Sequence, residues 1–380
     1  MTVAEQFLLD QDMTFLNHGS FGACPQPVFA EYQHWQRELE RQPVDFLQRQ
    51  LPPLLEAARD ELAAFVGADR ENLAFVPNAT YAVNLVARSL DLRPGDEVLT
   101  TDHEYGAVNN AWQFNCDKRG ARYINHPLPL PWTDPIALVD ELWAGVTERT
   151  RVIAVSHITS PTALIFPVAE LCRRARAAGI VTVIDGAHAP GQIDLDMAEL
   201  GATFYTGNGH KWLCAPKVAA FLYADPEHHD ALEPLVVSHG WSNGRSGSTL
   251  MDYFSWTGTW DPSAYLSVPA AIRFQQENDW PRVRAECHEL VSRARDRIHA
   301  LSGLPYNSTG SHPWFAQMAT ARVTDQVAPV LRERLWADYR IEVPITEWQG
   351  LSAVRLSIQA YNTEQDVDRL IGAIEELMDL

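Results

Sequence analysis

Only three lysines occur in the 380-residue chain, Lys118, Lys211 and Lys217, against 27 arginines. Chemistry that needs an amine nucleophile therefore has few places to reside. Lys118 sits in Cys116-Asp117-Lys118-Arg119-Gly120, which reads as the solvated end of a helix. Lys211 is different. It lies in Asn208-Gly209-His210-Lys211-Trp212, and a lysine in so apolar and aromatic a stretch is rarely buried without a reason. Burial lowers an amine's pKa and favours the neutral form that attacks an aldehyde.

A carboxylate complements it. The apolar run Ile180–Ile184 ends on Asp185, followed by Gly186-Ala187-His188. Taken alone, a carboxylate at a strand end caps a helix or binds a metal. Paired with a reactive lysine, it can instead keep a pyridine nitrogen protonated. Those two tasks together are what pyridoxal 5′-phosphate (PLP) asks of a protein. The cofactor's phosphate needs donors, and Asn78-Ala79-Thr80 falls at a strand-to-helix turn. Backbone N–H groups and the Thr80 hydroxyl can face an anion there; a plain helix cap by Asn78 or Thr80 accounts for the same residues. Asn208 and His210, next to the lysine, can add contacts to the same phosphate.

These residues sit on a regular pattern. From about residue 70, short β-rich runs alternate with amphipathic helices. Leu73–Val76, Glu97–Thr101, Arg151–Ile158, Ile180–Asp185, Gly201–Thr206 and Ala219–Tyr223 read as strands. The alternation predicts an α/β fold with a mostly parallel sheet covered by helices, and ligands collect beyond the carboxyl ends of such strands. After Tyr265 the pattern changes to long helices, Val268–Asn278 and Trp280–Leu301. Strand-like runs follow at Phe315–Val323, Ile341–Pro344 and Ala353–Ile358, and then an acidic helix over Thr363–Leu380. We expect an N-terminal arm over 1–25, a large cofactor-binding domain over 26–265 and a small C-terminal α+β domain over 266–380.

Composition excludes several classes. A net charge of −19 argues against nucleic acid or an anionic membrane as partner. No apolar run approaches membrane-spanning length. The start lacks the basic and apolar regions of a signal peptide, so the expected location is the cytoplasm. Five cysteines without C-x-x-C spacing read as reduced thiols, and no metal site is expected. The tryptophans read as core or interface.

Several motifs recur in a known order: LNHGSFGACP (Leu16–Pro25), FVPNAT (Phe75–Thr80), GDEVLTTDHEYGAV (Gly95–Val108), SHITSPT (Ser156–Thr162), IDGAHAPGQ (Ile184–Gln192), HKWLCAPK (His210–Lys217) and RLSIQAYN (Arg355–Asn362). Together they resemble the class V aminotransferase family of fold type I PLP-dependent enzymes, within it the isopenicillin N epimerase-like branch. The resemblance covers essentially the whole chain. It implies that Lys211 carries the cofactor, that Asp185 pairs with the pyridine nitrogen, and that Tyr105 stacks on the ring. It puts His188 with Ser160 or Thr159 near the phenolic oxygen, and Ala79, Thr80, Asn208 and His210 around the phosphate. Gly258-Thr259, in FSWTGTW, resembles a segment that reaches the neighbouring subunit's phosphate, which implies a homodimer with shared sites. Arg355 matches an arginine that clamps a substrate α-carboxylate, while Asn17 and His18 match an arm that closes over the substrate.

The sequence departs from its relatives at Gly209, where cysteine is frequent, and at Lys217-Val218, where Lys-Gly is usual. No cysteine follows Cys287, which disfavours a persulfide mechanism. The shared step is proton removal at the α-carbon of an amino-acid-like small molecule. Epimerisation then needs a second acid, for which Tyr105 or His18 is available. Carbon–sulfur elimination of the hercynylcysteine sulfoxide lyase type and transamination are alternatives, and a non-catalytic PLP-fold protein is the remaining one.

Overall fold

The computed structural model describes residues 2–241, 249–254, 256–310 and 312–378. Among the described residues, seven strands form the main sheet: β1 (Leu73–Val76), β2 (Glu97–Thr101), β3 (Arg122–His126), β4 (Thr150–Ser156), β5 (Val181–Gly186), β6 (Phe204–Asn208) and β7 (Ala220–Ala224). Their order is β1-β7-β6-β5-β4-β2-β3. The pairs β2 with β3, β2 with β4, β4 with β5, and β5 with β6 are parallel. Strand β7 runs antiparallel to both of its neighbours, an exception that the β-α-β pattern does not announce.

Alternate residues of each strand point to opposite faces, and both faces are buried. Ala74, Val76, Val98, Val152, Ala154, Val183 and Phe204 belong to one apolar cluster. Their neighbours Leu73, Phe75, Leu99, Ile153, Val155, Ile184 and Tyr205 belong to the other. That double burial explains why these strands read as continuous apolar runs rather than alternating ones. The first cluster is closed by α3 (Ala79–Ser89) and α4 (Gly106–Arg119), which contribute Ala82, Val83, Leu85, Val86, Val108 and Trp112. The Asn78 side chain caps α3 by accepting the Tyr81 N–H at 2.8 Å. Gly120 ends α4 in the left-handed region at φ 68°, the conformation glycine adopts without a Cβ penalty.

The C-terminal part builds a three-stranded antiparallel sheet from β8 (Met318–Val323), β9 (Ile345–Trp348) and β10 (Leu351–Ser357), in the order β9-β10-β8. The long helix Trp280–Ser302 packs against β8. The N-terminal segment joins this part: Thr14–Phe15 pairs in parallel with Ile341–Glu342, and the Ser357 N–H donates to the Leu16 carbonyl at 2.9 Å. Helix Val268–Glu277 packs on α1 (Gln26–Arg41) and α2 (Leu51–Val66) rather than on the small sheet. The acidic C-terminal helix is described over Glu364–Met378; the last two residues of its expected span lie outside the described residues.

Candidate active site

Strand β3 lies on one side of β2 and β4 on the other, so the chain reverses direction across the sheet there. Open α/β sheets bind ligands at such a switch point, beyond the strands' carboxyl ends. A cleft of about 310 Å³ occupies this position. Lys211, Asp185, Arg355, Tyr105, Asn78, Ala79, Thr80, Ser160, His188, Asn208 and His210 all line it. Five strand ends and one strand of the small sheet therefore converge on one space.

Asp185 is the penultimate residue of β5 and is 6 % exposed. Its Oδ1 accepts the Ala187 N–H at 2.9 Å. Burial raises its pKa, while the Ala187 N–H and the Lys211 charge pull it back. Lys211 follows β6, and burial lowers its amine to a pKa of about 8, with the Arg355 charge acting in the same direction and Asp185 opposing it. A far larger neutral fraction than an ordinary lysine offers is thus available near neutrality, as attack on an aldehyde requires. The Lys211 Nζ lies 3.2 Å from His188 Nε2.

Helix α3 starts at the cleft with donors already arranged. Asn208 Oδ1 accepts the Ala79 N–H at 2.9 Å, and Asn78 takes that of Tyr81. Asn78 thus serves as a cap while lining the cleft. Thr80, second in the helix, brings a further first-turn N–H and a hydroxyl. His210 donates from Nδ1 to the Ala219 carbonyl at 3.1 Å, and burial lowers its pKa to about 4. The residues fit PLP: an amine for its aldehyde, a buried carboxylate for its pyridine nitrogen and a helix N-terminus for its phosphate.

Arg355 enters from β10 and is also 6 % exposed. Its Nη1 donates to the Ser160 carbonyl at 2.8 Å and to Ser160 Oγ at 3.2 Å, and its Nη2 donates to Ser20 Oγ at 3.1 Å. Its Nε has no hydrogen-bond partner among the described residues. Burial lowers its pKa to about 10. Every acceptor it meets is neutral, and a buried guanidinium without a counter-charge is poised for an anion.

Some expected residues stand elsewhere. His18 is fully buried and does not line the cleft. Its Nε2 donates to the Lys211 carbonyl at 2.9 Å, which leaves Nδ1 to accept the Tyr361 hydroxyl at 2.9 Å. Burial takes its pKa down to about 3. Asn17 bonds Glu342 and Ser20. Their successors Gly19, Ser20 and Phe21 face the cleft instead. Thr159 is tied up with Thr162 and Leu164, so only Ser160 of that pair lines the space. Tyr105 precedes α4 and is 48 % exposed. Gly258 and Thr259 are not among the cleft's lining residues.

Sequence reasoning passed over Glu104. It is buried, with Oε1 accepting from Thr101 Oγ1 and Oε2 from Ser156 Oγ, both at 2.6 Å. Burial, with a contribution from Asp185, raises its pKa to about 7. Its signal in sequence was only a carboxylate beside Tyr105. A second cleft, also about 310 Å³, is mostly apolar and lies among α2, Trp256, Trp260 and Tyr265. It contains no lysine. The Nε and Nη1 atoms of its buried Arg59 have no hydrogen-bond partner among the described residues.

The aminotransferase class-V family model matches residues 23–370. An isopenicillin N epimerase of Amycolatopsis lactamdurans is 40% identical, covering 98% of this chain and 97% of its own. A putative L-cysteine desulfhydrase of Oryza sativa subsp. japonica is 32% identical over 96% of this chain and 83% of its own. Among solved structures, a cysteine desulfurase from Thermococcus onnurineus NA1 superposes with a TM-score of 0.83 at 22% identity, covering 99% and 97% of the two chains. With a lysine, a carboxylate and a helix N-terminus in one cleft, the chain belongs to the class-V aminotransferase family of PLP-dependent enzymes.

Proposed function

We propose that the protein removes the α-proton of an amino-acid or peptide-like substrate and works as an epimerase of the isopenicillin N epimerase type. One observation carries this reading: Lys211, Asp185 and Arg355 line a single cleft, and Arg355 is buried among neutral acceptors only. When bound, PLP supplies the ring that withdraws electrons from the α-carbon. Arg355 then receives the substrate carboxylate on its parallel N–H donors. Asp185 holds a proton on the pyridine nitrogen. Lys211 takes the α-proton at Nζ, and His188 orients that atom. Inversion needs a second proton donor. Of the two residues considered, Tyr105 lines the cleft and His18 does not, so Tyr105 takes this role.

Elimination of a sulfur leaving group is the second reading, favoured by the desulfhydrase relative. Incubation in D2O with amino-acid and cysteine-sulfoxide panels separates them. Deuterium at the α-carbon with inversion supports epimerisation. Pyruvate release would replace it with the lyase reading, and keto-acid formation with transamination.

The same proposal includes a homodimer in which Gly258-Thr259 completes the partner's phosphate site. The apolar cleft between Trp256 and Trp260, where Arg59 Nε and Nη1 have no hydrogen-bond partner among the described residues, supports a covered face there; sedimentation at the monomer mass would contradict it. The proposed division is arm (1–25), large (26–265) and small (266–380) domains, which the two separate sheets support, with helix Val268–Glu277 reaching back onto α1 and α2 of the large domain; limited proteolysis that cuts elsewhere would revise it. Five unpaired thiols support a reducing location such as the cytoplasm; recovery of the protein from an oxidising compartment would argue against it.

A further inference from the structure

Among the large apolar side chains of the described residues, Phe21 is the most exposed, at 73 %. It lines the cleft that holds Lys211 and Arg355. The backbone beneath it is held from both sides. Ser20 Oγ donates to Asn17 Oδ1 at 2.6 Å and accepts from Arg355. Gly22 follows at φ +70°, and a Cβ there would lie 2.1 Å from the His210 carbonyl oxygen. Its own carbonyl accepts from Lys217 Nζ at 3.1 Å. Within a single chain the aromatic ring is open on so fixed a base and is presented in advance of its contact, which is how preorganised binding surfaces limit ordering costs.

Charge narrows what the ring meets. Asp185, Lys211 and Arg355 are the formally charged acid, amine and guanidinium groups lining the cleft, and the proposed function gives each a task at the cofactor or the substrate carboxylate. Of this chain's own residues, the portion of substrate beyond the β-carbon is left with Phe21, Tyr105, Ile158 and neutral polar groups. Such surroundings favour methylenes or a ring over a charged group.

Resting on that reading of the α-carbon chemistry, we propose that Phe21 is the specificity-determining residue, selecting α-amino acids with an extended apolar segment directly beyond the β-carbon. Side chains of alanine's size leave the ring without a contact. The selection operates on binding at the cleft mouth and adds no chemical step.

The test uses the holoenzyme and the rate of α-hydrogen exchange in D2O for alanine, norvaline and norleucine, none of which carries a leaving group. The wild type should show kcat/KM rising with chain length. In Phe21→Ala the norleucine-to-alanine ratio should fall about tenfold, the scale of a few methylene contacts, and Phe21→Leu should keep a larger part of it. Melting temperature and the cofactor's absorption band verify that both variants are folded and loaded. An unchanged ratio in Phe21→Ala overturns the inference, including the case where the variant only alters oligomer size, which would make the ring a contact between copies. Absence of exchange with all three substrates in the wild type overturns the inference, whereas the α-carbon reading stands or falls separately on the wider D2O panel of amino acids and sulfoxides.

Discussion

The Nε2 of His188 lies 3.2 Å from Lys211 Nζ, while its Nδ1 faces the Trp212 indole N–H at 3.3 Å. An indole N–H only donates, so Nδ1 accepts and the proton of the neutral ring resides on Nε2. That N–H then points at Nζ. Two donors cannot bond each other, so the contact is satisfied when the amine is neutral and offers its lone pair. Burial also drives the His188 pKa well below its usual value, which keeps the imidazole neutral. The arrangement and the lowered amine pKa of about 8 agree in sign.

A pH dependence follows. In protein stripped of cofactor, the rate at which Lys211 combines with added PLP should track the neutral amine. It should rise about tenfold per pH unit below the amine's pKa and flatten above about 8. Stopped-flow absorbance at a series of pH values measures this. A rate still climbing steeply well past that point would mean an ordinary, solvated lysine.

Asp185→Asn should keep the fold, because an amide can still accept the Ala187 N–H. It should lower turnover by about a thousandfold or more, each tenfold step being about 1.4 kcal/mol of barrier. The amide cannot hold the pyridinium proton. Steady-state kinetics alongside a melting curve separates the two effects, and near-normal turnover would remove Asp185 from this role.

Arg355→Lys should weaken substrate binding by roughly tenfold to a hundredfold, the scale of one lost charge-assisted hydrogen bond. Cofactor affinity should change far less. Lysine keeps the charge but not the pair of parallel donors. Titration with an amino acid, followed spectrally, gives both constants. A lowered melting temperature with unchanged substrate affinity would instead make Arg355 a structural residue.

Glu104 gives a stability signature. Its folded pKa, about 7, lies above the ordinary carboxyl range because it is buried. An acid with a raised folded pKa stabilises fully below its unfolded pKa and loses that contribution as pH rises through the folded one. In the cofactor-free protein, Glu104→Gln should therefore melt close to wild type near about pH 4 and gain on it by about pH 8. Melting temperatures compared across that window test this. A constant difference between the two proteins would show that Glu104 does not titrate there.

Much of this is legible in the sequence, for identifiable reasons. Asp185 and Lys211 sit at strand ends flanked by apolar runs, and the parallel order of β4, β5 and β6 follows from their alternation with turns and helices. The antiparallel insertion of β7 was not legible, because nothing local distinguishes a strand's direction. Nor was the placement of His18. Its motif reads as a cleft residue, yet the four-residue turn His18–Phe21 sends His18 to the Lys211 carbonyl and leaves Ser20 and Phe21 at the cleft. Pairing of Thr14–Phe15 with Ile341–Glu342 spans more than three hundred residues, beyond the reach of periodicity. Glu104 was missed because, besides the neighbouring Thr101, its buried setting depends on Ser156 arriving from β4, 52 residues away.

The central claim is that one lysine of three carries the cofactor beside Asp185. Reduction of the PLP-loaded enzyme with borohydride, followed by peptide mapping, tests it most directly. The pyridoxyl group should be found on Lys211. Recovery of the label on Lys118 or Lys217 instead would contradict the site and the chemistry built on it.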